Sequence, residues 1–156
     1  MAGRRSATPA GRAKDATLFK KGAAMKYKDF LGHVQNRARL ATLEEAAGAT
    51  RATLQSLGER IPDEEVRHLQ AQLPVEIAYY LDQVEKTERF GVKDFFVRVS
   101  ERENEGLLAG TYHARAVIDV LKEAVPDELD DLIATLPDDW RQLFEAGSEG
   151  EMDVDD

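Results

Sequence analysis

Residues 51–64, Arg-Ala-Thr-Leu-Gln-Ser-Leu-Gly-Glu-Arg-Ile-Pro-Asp-Glu, return in outline 64 positions later as residues 115–128, Arg-Ala-Val-Ile-Asp-Val-Leu-Lys-Glu-Ala-Val-Pro-Asp-Glu. Both copies place apolar residues three and four positions apart, which is typical of an amphipathic helix. Both then reach Pro-Asp-Glu, where proline suits the first turn of a new helix and the acids favour its positive end. The sequence therefore predicts helices, and a pattern that occurs twice.

The repeat extends in both directions from this stretch. Upstream, Lys-Asp-Phe-Leu at 28–31 reappears 65 positions later as Lys-Asp-Phe-Phe at 93–96. Downstream, the pattern Leu-x-x-x-Leu-Pro at 69–74 reappears 63 positions later at 132–137. Three matches in the same order, with only single-residue changes in spacing, indicate an internal duplication.

We predict an all-α fold of two tandem, related four-helix units, about eight helices in all, at 26–86 and 90–146. Each unit is close to the lower size limit for burying a core by itself. We therefore expect the two units to pack on each other as one compact helical domain over residues 25–146.

The second helix of the first unit has a start signal and one apolar stripe. Thr42 and Glu45 form a predicted capping box, in which hydroxyl and carboxylate satisfy backbone N–H groups. The residues expected to form the buried stripe of this helix are Leu43, Ala47, Thr50, Leu54, Leu57 and Ile61.

The two ends of the chain carry opposite charge. Residues 1–24 hold six basic side chains and one acidic one, a net charge of +5, and we predict a disordered basic arm. Residues 147–156 hold five acidic side chains and no basic one, and we predict a disordered acidic tail. The chain as a whole has a net charge of −9, so clustered cations for nucleic-acid phosphates occur only in 1–24.

Composition limits the remaining classes. There is no cysteine, which excludes disulfides and thiolate metal sites and favours a reducing, cytoplasmic compartment. No apolar run is long enough for a membrane span, so we expect no membrane association. No glycine-rich phosphate loop and no nucleophile motif around a serine is present, so we predict no catalytic residue and no cofactor.

Several of these features together resemble a known family. They are the Arg-Ala-x-Leu helix, the Leu-Pro helix end, residues 112–121 (Tyr-His-Ala-Arg-Ala-Val-Ile-Asp-Val-Leu) and the closing Asp-Trp-Arg-Gln-Leu-Phe at 139–144. The body of the chain, 26–146, resembles the bacterial domain-of-unknown-function family 2267. The resemblance implies a compact helical protein of the bacterial cytosol, and it implies no reaction and no site residue.

One pair of side chains has the spacing of metal ligands. Glu65 and His68 stand three positions apart on a predicted helix, as in di-iron bundles, where two such pairs act together. The aligned positions of the second unit, Leu129 and Leu132, offer neither group. A helix N-terminus also favours Glu65 for its charge alone. His33 and His113 stand at unmatched positions and suggest surface or boundary residues, with a catalytic base as the alternative.

Arg51 and Arg115 occupy the same place in both units. One interpretation is structural, with a stem that covers the core and a head that binds a carboxylate or a helix C-terminal carbonyl. The other is an anion site built from both guanidinium groups.

The adjacent Tyr79 and Tyr80 cannot both face inward, so one of them is expected to be exposed, and we take Tyr79 as a possible partner surface.

The leading functional hypothesis is a non-catalytic interaction or scaffold protein, with an unknown protein partner or self-association. One alternative is a metal-binding or small-molecule-binding protein, or an enzyme, that uses Glu65 and His68. The other is nucleic-acid association through residues 1–24.

Overall fold

The computed structural model describes residues 25–86, 89–148 and 152. Within these residues the chain forms eight α-helices and one 3₁₀ helix and no strand, which confirms the predicted all-α fold. In chain order the helices are α1 (Tyr27–Ala38), α2 (Leu43–Arg60), α3 (Asp63–Gln72), α4 (Val75–Ala78) with the 3₁₀ helix Tyr79–Asp82, α5 (Val92–Glu103), α6 (Leu107–Ala124), α7 (Pro126–Ala134) and α8 (Asp138–Ala146).

The predicted basic arm, 1–24, lies outside the described residues. Of the predicted acidic tail, 147–156, the structure describes three residues. Gly147 ends α8, the Ser148 N–H donates to Asp119, and Met152 packs against the core. Residues 147, 148 and 152 thus contact the folded body.

The start of α2 differs from its prediction in two respects: one backbone donor of the capping box and the burial of Leu43. The Thr42 hydroxyl accepts from the Glu45 N–H at 3.0 Å, and Glu45 accepts from Ala41, one residue before the expected donor. Leu43, predicted to be buried, is 44% exposed because it lies in the first turn, ahead of the level at which α2 meets its neighbours. The stripe is buried from Thr50 onward.

The first helices of the two units end in the same way. Arg39 and Asn104, 65 positions apart, both adopt the left-handed conformation, with φ of 57° and 59°. In each case two backbone N–H groups bond back to the last turn of the helix, which is the Schellman arrangement. A shared helix ending at the same spacing is the local counterpart of the sequence repeat.

The fourth helices differ between the units. In the first, α4 has one turn and continues as a 3₁₀ helix, whereas α8 is a regular helix of nine residues. Gly58 on α2 accounts for part of this difference, since a Cβ there would stand 2.1 Å from the Leu81 carbonyl oxygen. The 3₁₀ helix therefore packs directly on the backbone of α2.

Four helices form the centre of the molecule, and they exchange partners between the units. α1 packs on α2 and on α6, while α5 packs on α6 and on α2. Each first helix thus contacts the second helix of its own unit and that of the other unit. The largest fully buried side chains of the resulting core are Trp140, Phe30, Phe95, Phe144, Met25, Leu54, Leu57, Ile61, Leu69, Ile77, Leu81 and Ile118.

Ion pairs follow the same exchange. Arg102 on α5 contacts Glu59 on α2 at 3.0 Å, and Arg37 on α1 contacts Glu123 on α6. Arg37 and Arg102 are equivalent in the repeat, as are Glu59 and Glu123. The two units therefore hold each other through the same pair of side chains, used once in each direction.

In the part of the chain that the structure describes, no helix has the length and apolar character needed to cross a membrane.

Candidate functional site

The most exposed apolar side chains of the first unit lie on α4 and at the start of the 3₁₀ helix that continues it. Val75 is 77% exposed and Tyr79, one helical turn later, is 60% exposed. Residues four positions apart lie on the same side of a helix, so the two side chains form one patch. Between them the helix buries Ile77 and Ala78 against the core, which fixes the outward direction of Val75 and Tyr79. We call Val75 and Tyr79, with the exposed acids Glu76 and Asp82, the α4 surface.

The equivalent positions of the second unit are polar. In the repeat, Val75 corresponds to Asp138 and Tyr79 to Gln142. The two units thus differ in polarity at both of these positions. Exposed aromatic and aliphatic side chains that lie next to each other are typical of interaction surfaces.

The α4 surface borders the start of α1. The ring of Tyr79 lies 6.4 Å from that of Tyr80, and Tyr80 is partly buried. Burial raises the pKa of Tyr80, and the charge and hydrogen bond of the neighbouring Tyr27 phenol raise it further. Tyr27 is the first residue of α1, so the chain enters the folded body beside this surface.

A second feature is a pocket of about 200 Å³ between the units. On the side of the first unit it is lined by the beginning of α2 and by Leu40, and on the other side by the end of α5 and by α6. The charged lining residues are Glu45, Arg51, Arg102, Glu103, Glu105 and His113. None of the described residues that line it carries a hydroxyl or thiol.

His113 and Glu103 form a pair at the wall of this pocket. The Nδ1 atom of His113 lies 3.0 Å from both carboxylate oxygens of Glu103, and the side chains are only 13% and 7% exposed. The hydrogen bond to Glu103 raises the pKa of His113, against the opposing effect of burial, and Glu103, Glu105 and Glu45 add to the rise. The pair keeps an imidazolium at the pocket to a higher pH than a free histidine would allow.

The two predicted metal ligands, Glu65 and His68, lie near each other but do not form a hydrogen bond. His68 Nδ1 lies 3.8 Å from Glu65 Oε1, too far for a hydrogen bond, and the His68 side chain is 52% exposed. No group of three or more His, Cys, Asp or Glu side chains within the described residues is arranged to hold a metal ion.

Arg51 and Arg115 have different surroundings. Arg115 donates from Nε to the Gly147 carbonyl at 2.8 Å, at the C-terminal end of α8. Arg51 is exposed and lines the pocket, and its charge partly opposes the rise that burial causes in the pKa of Tyr80.

Sequence reasoning missed the His113–Glu103 pair and Val75. Glu103 and His113 stand ten positions apart on two helices, α5 and α6, that a loop of three residues joins. A loop this short forces two long helices to pack side by side, so it could have indicated that residues near the loop face each other. For Val75 the signal was the repeat itself, which aligns an apolar residue with an aspartate.

Comparison with curated proteins gives no match to this chain. Comparison with family models gives a match over residues 27–143, from α1 to the last turn of α8. That range takes in both units and most of the chain, so the chain belongs to the family described as uncharacterized conserved protein (DUF2267).

Proposed function

We propose that the protein is a non-catalytic interaction module that binds a protein partner through the α4 surface. The observation that carries the proposal is the exposure of Val75 and Tyr79 on one side of α4, at positions where the second unit has Asp138 and Gln142. Tyrosine is enriched at the centres of protein interfaces because it buries a large ring and keeps a polar hydroxyl.

The charges around this patch define the partner's chemistry. Glu76 stands three positions before Tyr79 and Asp82 three positions after it, and residues 63–85 as a whole carry six acidic side chains and one basic one. A partner segment that places an apolar or aromatic side chain on Val75 and Tyr79 and a lysine or arginine near the acids fits this surface.

The test compares the protein with a variant that carries the second unit's residues, Val75→Asp with Tyr79→Gln. Both proteins are used to capture partners from a lysate of the source cells, and their self-association at micromolar concentration is followed by sedimentation velocity. We expect at least one partner, or the self-association, to be retained by the wild-type protein and lost by the double variant.

The matched control is Leu108→Gln, which removes another exposed apolar side chain, 89% exposed, at the start of α6. This variant should behave as wild type. If no partner and no self-association is found, or if the double variant binds as the wild type does, the proposal is wrong. Circular dichroism of all three proteins is used to verify that the substitutions leave the fold unchanged.

A further inference from the structure

The pocket between the units lies where the two units differ in side-chain size. Its wall in the first unit contains Gly48 and Ala49, whereas the equivalent positions on α6 hold Tyr112 and His113. A Cβ on Gly48 would meet no atom within 4 Å, so the space beside this wall is open. The volume of the pocket is about 200 Å³. Since a cavity of about 150 Å³ accommodates a molecule of the size of benzene, this pocket is large enough for a small organic molecule.

The His113–Glu103 pair at the wall of the second unit has no counterpart in the first unit. The equivalent positions are Ala49 and Ala38, which are 1% and 3% exposed. The first unit therefore packs α1 on α2 with two alanines at the places where α5 and α6 carry an ion pair. Titratable groups that are mostly buried and shifted in pKa beside a cleft are typical of functional sites.

Only one ring nitrogen of His113 is used within the described part of the chain. Nδ1 lies 3.0 Å from both oxygens of Glu103, and no described residue makes a hydrogen bond with Nε2. The hydrogen bond to Glu103 raises the pKa of His113, which favours the imidazolium form. In that form Nε2 also carries a hydrogen and donates. Because His113 lines the pocket, this N–H can meet an acceptor group of a ligand.

The other charges that line the pocket are of both signs. Arg102 is already paired with Glu59 at 3.0 Å. By contrast, Arg51 and Glu105 are exposed, and neither makes a hydrogen bond or an ion pair with another described residue. Glu45 uses one carboxylate oxygen to accept a backbone N–H at the start of α2. The pocket thus offers a guanidinium group to a carboxylate and two carboxylates to a cation.

We infer that the pocket binds a small zwitterion, namely an α-amino acid with a short apolar side chain. Arg51 and the Nε2–H of His113 hold its carboxylate. Glu105 and Glu45 hold its ammonium group, and its side chain meets the apolar lining at Leu40. A molecule with only one of the two charges leaves part of the lining without a partner and binds more weakly. The site is separate from the α4 surface, so this inference goes beyond the proposed function.

Binding is measured by nuclear magnetic resonance titration of the purified protein with glycine, L-alanine and L-valine at neutral pH. We expect at least one of them to bind saturably, with a dissociation constant on the order of millimolar or below. The amino acid that binds best is then compared with the same molecule without its amino group and with the same molecule without its carboxyl group. Each of these analogues should bind at least about tenfold more weakly.

Three variants locate the site. Arg51→Gln removes the guanidinium group and Glu105→Gln removes one carboxylate. Gly48→Tyr introduces at the open wall the side chain that the second unit carries at the equivalent position. Arg51→Gln should weaken binding by at least about tenfold, Glu105→Gln should weaken it measurably, and Gly48→Tyr should abolish it.

The matched control is Arg67→Gln, which removes an exposed cation on α3, outside the lining of the pocket. This variant should bind the amino acid as the wild-type protein does. Circular dichroism and the melting temperature of each variant are used to verify folding.

The inference is wrong if none of the three amino acids binds saturably. Equally tight binding of the analogue without the amino group would show a simple anion site, and would also overturn it. Binding that both Arg51→Gln and Gly48→Tyr leave unchanged would place the ligand elsewhere on the protein. The Val75→Asp with Tyr79→Gln variant should bind the amino acid as the wild type does, so this proposal and the proposed function are able to fail independently.

Discussion

Single buried hydroxyls distinguish the two copies of the second helix. Thr53 is fully buried on α2, and among the described residues its hydroxyl has no hydrogen-bond partner. The equivalent residue on α6 is Val117, which has the same shape without the hydroxyl. We predict that Thr53→Val raises the free energy of unfolding by about 1 kcal/mol, because a buried polar group without a partner costs about 1–3 kcal/mol. Urea denaturation measures the change.

Ser56 provides the control for this substitution. It is equally buried on the same helix, but its hydroxyl donates to the Ala52 carbonyl at 2.8 Å and accepts from Arg102 at 2.9 Å. Ser56→Ala should therefore lower the stability while Thr53→Val raises it. If Thr53→Val and Ser56→Ala lower the free energy of unfolding by similar amounts, the Thr53 hydroxyl has a hydrogen-bond partner and the prediction is wrong.

The His113–Glu103 pair makes stability depend on pH above the ordinary histidine pKa of 6.5. The pKa of His113 in the folded protein is raised above its ordinary value of 6.5, chiefly by the hydrogen bond to Glu103. The folded state thus binds the proton more tightly than the unfolded state. The resulting stabilisation is complete below pH 6.5 and is lost as the pH rises through the raised pKa.

His113→Gln should remove this pH dependence, which denaturation curves from below pH 6.5 upward will detect. His68→Gln, which changes a half-exposed histidine, should leave the dependence as in wild type. A wild-type stability that rises with pH across this window, relative to His113→Gln, would contradict the assignment.

At the scale of elements, α5 and α6 pack closely against each other at Gly110. A Cβ on Gly110 would lie 2.1 Å from the Ser100 hydroxyl oxygen and 2.8 Å from Ser100 Cα. Because a Cα belongs to the backbone, the two helices have to separate to admit it. We predict that Gly110→Ala costs about 1–3 kcal/mol of stability, as overpacking of a core does, and thermal denaturation measures the loss.

Gly48 is the matched control on α2. It is helical, and a Cβ there would meet no atom within 4 Å. Gly48→Ala should therefore stabilise the protein by about 0.5–1 kcal/mol through the higher helix propensity of alanine. If both substitutions stabilise the protein, α5 and α6 separate at Gly110 without loss of stability, and the prediction is wrong.

The elements that the sequence predicted are those that local chemistry determines. Pro62 and Pro74 each stand immediately before a helix, and the apolar period of α2 identifies its buried side from a short stretch of sequence. The exposure of Leu43 was not predictable in this way, because it depends on where along α2 the neighbouring helices begin. The pairs His113–Glu103 and Arg102–Glu59 join different helices, so their formation depends on crossing geometry that no single helix encodes.

At the scale of the whole molecule, the exchanged contacts of the two units predict one cooperative unfolding transition. The first helix of each unit packs on the second helix of the other, and Arg37–Glu123 and Arg102–Glu59 repeat this exchange at the surface. If one unit unfolds, the other loses a neighbour along two helices. Neither unit then retains a covered core, and a half-sized core is near the limit of stability.

Equivalent substitutions in the two units test this cooperativity. Leu54→Ala and Ile118→Ala each delete a fully buried aliphatic side chain at the same place in the repeat, at a cost of about 2–5 kcal/mol. The single tryptophan, Trp140, lies on α8 of the second unit, where its indole N–H donates to the Phe90 carbonyl at 3.1 Å. Its fluorescence reports on the second unit, whereas far-ultraviolet circular dichroism reports on all helices.

We expect Leu54→Ala, which lies in the first unit, to shift the Trp140 transition and the circular-dichroism transition by the same amount. Ile118→Ala should do so too, because both changes weaken one shared core. A Leu54→Ala variant that loses helix content in a first step, while Trp140 keeps its environment until a second step, would mean that the units are independent domains. The exchanged helices make that outcome physically costly, since the second unit would have to expose the sides of α5 and α6 that face α2 and α1.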